Sequence, residues 1–140
     1  MASECDIQKI RSFFAADRFA AEAGVTIDEV SAEHVECGLL ISPRHLNAAG
    51  SVQGGAIFTL ADLAFAVHSN LELALGGETG VTVGQSNSIS YLRAPKGQKL
   101  IARSACLSRG RHVSVYRVDI MDDLGNAVAV MIGNGFTKQN

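Results

Sequence analysis

Residues 45–70 read HLNAAGSVQGGAIFTLADLAFAVHSN, and this stretch decides the fold. Its first part, up to Gly55, is rich in glycine and polar residues and predicts a loop. From Ala56 onward the pattern predicts a helix of about five turns, ended by the pair Gly76-Gly77. The only carboxylate in the quoted helical part is Asp62, and most other positions are Ala, Leu, Ile, Phe or Val. A helix that is apolar on nearly every side must be surrounded by protein.

The segments on either side of this helix predict antiparallel strands. From about Thr79 to Lys138, runs rich in Val, Ile and Tyr are separated by turn signals, which predicts a meander of four long strands. Upstream, apolar and polar residues roughly alternate over residues 25–30 and 34–41, which predicts two short strands. Residues 6–19 carry apolar side chains at helical spacing and predict an amphipathic helix at the N-terminal end.

Together these elements predict an α+β fold. One long buried helix is expected to be wrapped by a curved antiparallel sheet of five or six strands, because the sheet has one face that needs cover. The chain has 140 residues, of which 47% are hydrophobic and 19% charged, so residues 1–140 are expected to form a single globular domain.

Charge and composition exclude several kinds of partner. A net charge of -2 and a pI near 6.0 predict no binding to nucleic acid or to an anionic membrane. The apolar run 56–67 is too short to span a bilayer, and the first residues lack an apolar core of signal-peptide length. Three separated cysteines favour a reduced, cytoplasmic protein. The four histidines show no ligand spacing, so neither a metal nor another cofactor is expected.

The loop and helix together carry a specific motif. They resemble the signature of the hotdog-fold thioesterases of the phenylacetate-degradation type, in which H-x-N-x-x-G-x-x-H-G-G leads into a helix containing L-x-D. The matching residues are His45, Asn47, Gly50, Gly54, Gly55, Leu60 and Asp62. The segment ISYLRAPKGQKLIARSACLSRGR, residues 89–111, is also similar to this family. The resemblance implies a hotdog fold and an acyl-CoA thioesterase that works as a homodimer, with dimers commonly paired into tetramers.

The motif residues suit thioester hydrolysis on chemical grounds. Burial of Asp62 on an apolar helix should raise its pKa and its basicity, which suits a general base or a nucleophile. The step Gly54-Gly55 lies where the loop becomes a helix, so its N–H groups are unpaired donors assisted by the helix dipole. By resemblance, Gly54 is expected to polarise the thioester carbonyl, and Asn47 helps to place water or the carbonyl.

The spacing of the two groups predicts a site shared between subunits. Asp62 follows Gly54 by eight residues, which corresponds to about 12 Å along one helix. Attack geometry requires the reacting atoms to lie within roughly 3–3.5 Å. One helix cannot present both groups to one carbonyl, whereas two antiparallel helices of a twofold dimer can.

Other residues are expected to contribute to substrate binding. The family histidine before the two glycines is replaced by Gln53, which can donate a hydrogen bond but cannot carry a proton at neutral pH. The CoA phosphates call for positive charge near the mouth of the site. The predicted substrate contacts are Gly55, Ser86, Asn87, Arg93, Arg109 and Arg111.

Alternatives stay open for function and for individual residues. The same fold also serves non-catalytic acyl-CoA binding or sensing, and Gln53 keeps that alternative in view. A hotdog hydratase usually carries an Asp and a His five residues apart on the long helix. The residue five positions after Asp62 is Val67, and His68 is six positions away, so the chain is a poor match for a hydratase. Asp62 could be a satisfied helix carboxylate, Asn47 a loop-fixing side chain, and Gln53 a helix cap. The acyl group, medium-chain or aromatic, is not specified by these residues.

Overall fold

A computed structural model describes residues 2–139 of the chain. It contains four α-helices, a single turn of 3₁₀ helix at Pro43–His45, and one six-stranded antiparallel sheet in the described part. The helices are α1 (Glu4–Phe14), α2 (Arg18–Ala23), α3 (Gly54–Ser69) and α4 (Leu71–Ala74). The strands are β1 (Val25–Val30), β2 (His34–Leu40), β3 (Val81–Tyr91), β4 (Lys99–Arg109), β5 (Val113–Asp122) and β6 (Ala127–Lys138).

The order of strands in the sheet is β1-β2-β4-β5-β6-β3, and every pair is antiparallel. The predicted α+β class is confirmed, but the predicted four-strand meander is wrong. Only β4, β5 and β6 form a meander, whereas β3 pairs with β6 at the far edge. A tight hairpin would make β3 and β4 neighbours, but the connection over residues 92–98 is long enough to cross two strands.

The N-terminal segment forms two helices, so the single helix predicted over residues 6–19 is wrong. Helix α1 ends at Phe14, and α2 begins at Arg18. The cause is Asp17, whose Oδ1 accepts a hydrogen bond from the Ala20 N–H at 3.1 Å and caps a new helix. Gly24 ends α2 with a φ of 93°.

Helix α3 lies against the inner face of the sheet, as predicted for the long apolar helix. The side chains that fill the space between them are almost fully buried: Leu39, Leu60, Phe65, Leu100, Val118, Ile120 and Met131. The helix ends earlier than the predicted stop at Gly76, because Asn70 leaves the helical conformation. The Asn70 side chain instead exchanges two hydrogen bonds with the backbone of Thr82, which fixes the start of β3.

The turn after β5 is built around a buried carboxylate. Burial alone would raise the pKa of Asp122. Hydrogen bonds to its carboxylate lower this pKa to about 2, and they come from the N–H groups of Lys96, Leu124 and Asn126 and from the Asn126 side-chain amide. The bond from the Lys96 N–H helps to hold the 92–98 connection, together with the bonds from the Leu92 and Gln98 N–H groups to the Val128 oxygen and the Asp123 Oδ1. The segment that follows β3 is therefore anchored to the rest of the sheet.

Two adjacent surfaces lack cover within the protomer. Strand β3 is a sheet edge, and its Val83 side chain is 46% exposed. Helix α3, which contacts β3, carries a partly exposed stripe of Thr59, Asp62 and Ala66. The sequence-based expectation that α3 is enclosed on nearly every side therefore holds for the isolated protomer except along this stripe.

Candidate active site

The first two peptide N–H groups of α3 are free donors. Gln53 is the N-cap, with φ -70° and ψ 136°, and its Oε1 accepts a hydrogen bond from the Ala56 N–H at 3.2 Å. This confirms the capping alternative for Gln53. The N–H groups of Gly54 and Gly55 have no acceptor among residues 2–139. A helix N-terminus with two free donors attracts a partly negative oxygen.

The loop before α3 is held in place by its own polar residues. His45 is buried, its Nδ1 accepts from the Ser42 N–H at 3.0 Å, and its Nε2 donates to the Ala23 oxygen at 2.6 Å. The Oδ1 of Asn47 accepts hydrogen bonds from the N–H groups of Ala49 and Ser51 at 2.9 and 3.1 Å. The loop-fixing alternative for Asn47 is therefore confirmed, while its exposed amide nitrogen has no partner within the described chain.

A cavity opens beside Gly54. It has a volume of about 320 Å³ and is lined by Val52, Gly54, Ile57 and residues 91–95. Arg93 lies in its wall, and its contact with a CoA phosphate stays a prediction. The Tyr91 hydroxyl donates a hydrogen bond to the Gly54 oxygen at 2.9 Å. Tyr91 was not among the predicted site residues, although it lies in the segment 89–111 that is similar to the family.

Asp62 lies two turns further along α3, on the partly exposed stripe. Burial raises the pKa of its carboxyl group, and the Asp17 carboxylate raises that pKa further. No side chain or N–H group of residues 2–139 donates a hydrogen bond to it. The alternative of a satisfied helix carboxylate is therefore not supported. Within one protomer the helix itself keeps Asp62 and Gly54 apart by about 12 Å.

The remaining residues that were predicted to contact the substrate lie on the strands of the sheet and in its turns. Ser86 is exposed beside a β-bulge of β3, and the Oδ1 of Asn87 is buried without a hydrogen-bond partner in the described part of the chain. Arg111 is exposed in the turn between β4 and β5.

Arg109 lies at the opposite end of α3 from Gly54. Its Nη1 donates to the Ser69 oxygen and to the Tyr116 hydroxyl at 3.2 and 2.8 Å, which ties the end of β4 to the end of α3. The structure does not bring Arg109 to Gly54 within one protomer, so a role for it in substrate binding stays a prediction.

The structure also separates His68 from Asp62. His68 is buried, with its two ring nitrogens 3.1 Å from the Ser104 hydroxyl and 3.2 Å from the Ala32 oxygen. Burial lowers the pKa of His68 and so favours its neutral form. A position six residues after Asp62 also lies on a different face of the helix. The Asp–His pair required for the hydratase alternative is not formed.

Comparisons with known proteins agree with this fold. The model of the thioesterase superfamily matches residues 49–129. An inferred esterase of Deinococcus radiodurans is 33% identical over 118 residues, which cover 82% of this chain and 75% of that protein. The phenylacetic acid degradation protein PaaI of Thermus thermophilus, solved in a mutant form, is 26% identical with a TM-score of 0.76, covering 86% and 98% of the two chains.

The PaaI protein of Escherichia coli, from the phenylacetic acid degradation operon, has the same fold. It superposes with a TM-score of 0.85 at 23% identity, covering 96% of this chain and 94% of that one. The antiparallel sheet around one long helix, with free donors at the start of that helix, defines a hotdog-fold thioester hydrolase. The chain belongs to the thioesterase superfamily, as the match over residues 49–129 shows. No helix among residues 2–139 is long and apolar enough to cross a membrane.

Proposed function

We propose that residues 1–140 form one domain and that this domain is an acyl-CoA thioesterase whose active site lies between two protomers. The observation that carries the proposal is the presence on α3 of N–H donors at Gly54 and Gly55 and of a carboxylate at Asp62, none of which has a hydrogen-bond partner in the described part of the protein. Each group is suited to one part of the reaction, but they lie too far apart to serve one carbonyl from the same chain. A second protomer supplies the missing partner for each.

The uncovered surfaces support a twofold dimer. Strand β3 has an unpaired backbone edge, and its neighbour in a dimer would be the same edge of another copy. Such pairing extends the sheet and brings the two α3 helices side by side in opposite directions. The stripe containing Thr59, Asp62 and Ala66 then meets the partner, so that Gly54 of one chain faces Asp62 of the other. Two such dimers form the tetramer.

The reaction follows from these groups. The thioester oxygen accepts hydrogen bonds from the Gly54 and Gly55 N–H groups, which stabilise the negative charge that develops on it. The Asp62 carboxylate acts as the base or the nucleophile at the carbonyl carbon. As a base it takes a proton from water, whose oxygen bonds to the carbon; the C–S bond then breaks, and the CoA thiolate is protonated. The products are the free acid and CoA.

We assign side chains of the protein to parts of the substrate by their chemistry. Arg93, in the wall of the cavity beside Gly54, contacts a CoA phosphate, and Arg109 and Arg111 add positive charge further out. Asn47 and Gln53 offer amide N–H donors near the thioester. Ser86 and Asn87 contact the acyl portion from β3. The names of the PaaI relatives favour an aromatic acyl group, with medium-chain groups as the other candidate.

A thiol-release assay with phenylacetyl-CoA, octanoyl-CoA and acetyl-CoA tests this function. We expect turnover of at least one of the first two and much slower turnover of acetyl-CoA, which lacks a group to fill the acyl slot. Calorimetry with the same three acyl-CoAs measures binding separately from turnover. Tight binding of all of them without release of thiol would instead support the acyl-CoA sensing module.

Removal of the Asp17 charge should shift the pH dependence of this activity. Because Asp17 raises the pKa of Asp62, the variant Asp17→Asn should lower that pKa. Asp62 acts in its deprotonated form, so activity is lost as the pH falls through its pKa. We expect the acidic limb of the kcat/KM profile to move to lower pH in Asp17→Asn. Asparagine is also a good N-cap, so α2 is retained.

The matched control for this experiment is Asp119→Asn, which removes a carboxylate that pairs with Arg117 on an exposed strand surface. Its acidic limb should coincide with that of the unmodified protein. An unchanged profile in Asp17→Asn, or an equal shift in both variants, would contradict the assignment of Asp62.

A further inference from the structure

We infer that Tyr91 is a positioning residue for the Gly55 N–H, one of the two peptide N–H groups proposed to hold the thioester carbonyl. The inference rests on the proposed function, because it assigns a role in that same site. Its basis is the hydrogen bond of 2.9 Å from the Tyr91 hydroxyl to the Gly54 oxygen. This bond connects the end of the edge strand to the first turn of α3.

The backbone of Tyr91 is held firmly. Tyr91 is the last residue of β3 and pairs with Ala129 of β6. The next residue, Leu92, donates its N–H to the Val128 oxygen at 2.8 Å. The hydroxyl group therefore extends from the sheet to the first turn of α3, where two consecutive glycines restrict their own backbone less than other residues would.

The ring of Tyr91 also explains why residue 54 is a glycine. A Cβ atom at that position would lie 3.2 Å from the Tyr91 Cζ and 3.3 Å from its hydroxyl oxygen. These distances are shorter than an ordinary van der Waals contact. Glycine at position 54 thus allows the hydroxyl to reach the peptide oxygen directly, and the ring covers one side of the peptide.

The position of the bond gives it a chemical effect. The Gly54 oxygen and the Gly55 N–H belong to the same peptide group. A donor on the oxygen polarises that group and makes its N–H a stronger donor. It also fixes the plane of the peptide, and with it the direction in which the Gly55 N–H points. A free N–H that is aimed in advance stabilises a developing oxyanion without the cost of reorientation.

A purely structural role would have a different signature. The Tyr91 side chain is 50% exposed, and a hydrogen bond in contact with water contributes little to the free energy of unfolding. Loss of the hydroxyl should therefore affect the rate of the chemical step more than the stability of the fold. The two roles can be separated by measuring kcat, KM and melting temperature for the same variant.

The test is the variant Tyr91→Phe, assayed with the best acyl-CoA substrate of the unmodified protein. We expect kcat to fall about tenfold while KM stays within about twofold, and the melting temperature to change by no more than about 2 °C. The backbone amide signals of Gly55 in an NMR spectrum should move upfield, because its peptide group has lost a donor. The control is Ser114→Ala, which removes a buried hydroxyl that has no partner among residues 2–139 and should leave kcat unchanged.

A second variant, Tyr91→Leu, removes the ring as well as the hydroxyl. Full activity in Tyr91→Phe with loss only in Tyr91→Leu would show that packing of the ring is what matters, and would overturn the inference. An unmoved Gly55 amide signal in Tyr91→Phe would do the same. If the unmodified protein releases no thiol at all, the proposed function fails first, and the NMR result still reports separately on the Tyr91–Gly54 bond.

Discussion

The substitution Asp62→Asn is expected to lower kcat for acyl-CoA hydrolysis by at least about 10³-fold. Asparagine has the same shape as aspartate but cannot accept a proton or attack as an anion. Because burial raises the pKa of Asp62 and no described group pairs with it, loss of the charge should not destabilise the fold. We therefore expect a melting temperature equal to or above that of the unmodified protein.

Binding of the acyl-CoA should survive this change. The groups that hold the carbonyl and the phosphates are untouched, so the Kd measured by calorimetry should stay within about threefold. Asp119→Asn again supplies the charge-matched control and should retain full activity. Retention of kcat in Asp62→Asn, or a defect confined to KM, would rule out Asp62 as the catalytic carboxylate.

The second prediction concerns two inactive variants that restore activity when mixed. Gly54→Pro removes the Gly54 N–H but suits the first position of a helix, and the extended backbone of Gln53 is compatible with a following proline. The new Cβ would lie against the Tyr91 ring, so this variant also displaces the Tyr91 hydroxyl from the Gly54 oxygen, which adds to the loss of activity. Loss of one oxyanion donor should lower kcat by about 10²–10³-fold. A mixed dimer of Gly54→Pro and Asp62→Asn protomers contains one site with both changes and one site with neither.

Equal amounts of the two variants, refolded together, should therefore regain about 25% of the unmodified activity, since half of the dimers are mixed and each has one intact site. The control is each variant refolded alone, which should stay inactive. If both groups acted within one protomer, no mixture could contain an intact site. The absence of recovery, with mixed dimers demonstrated by mass spectrometry, would refute the shared site.

The sequence predicted the features that depend on local composition. The helix was predicted from Ala56 and begins two residues earlier, at Gly54, because the glycine pair forms its first turn. The apolar character of that helix and the isolated Asp62 could be recognised from the same segment, because helix patterns are local signals. The motif formed by the loop and the helix also indicated the class of protein, because it resembles the signature of the hotdog-fold thioesterases. The structure agrees with the predicted fold class and places Arg93 beside Gly54, at the cavity.

Features that depend on distant contacts could not be predicted in the same way. The pairing of β3 with β6 is set by tertiary packing, and alternation of apolar residues does not reveal which strands are neighbours. The end of α3 at Asn70 depends on hydrogen bonds to Thr82, twelve residues further along the chain. The contact between Tyr91 and Gly54 joins two elements separated by 37 residues.

The open edge of β3 has a consequence for the behaviour of the protein on dilution. An unpaired edge strand with exposed apolar side chains readily pairs with any other strand, including that of a misfolded neighbour. The same edge would close when two copies meet in the proposed dimer. Dissociation would then remove catalysis and protection from aggregation in a single event, so specific activity and colloidal stability should fall together below the same protein concentration.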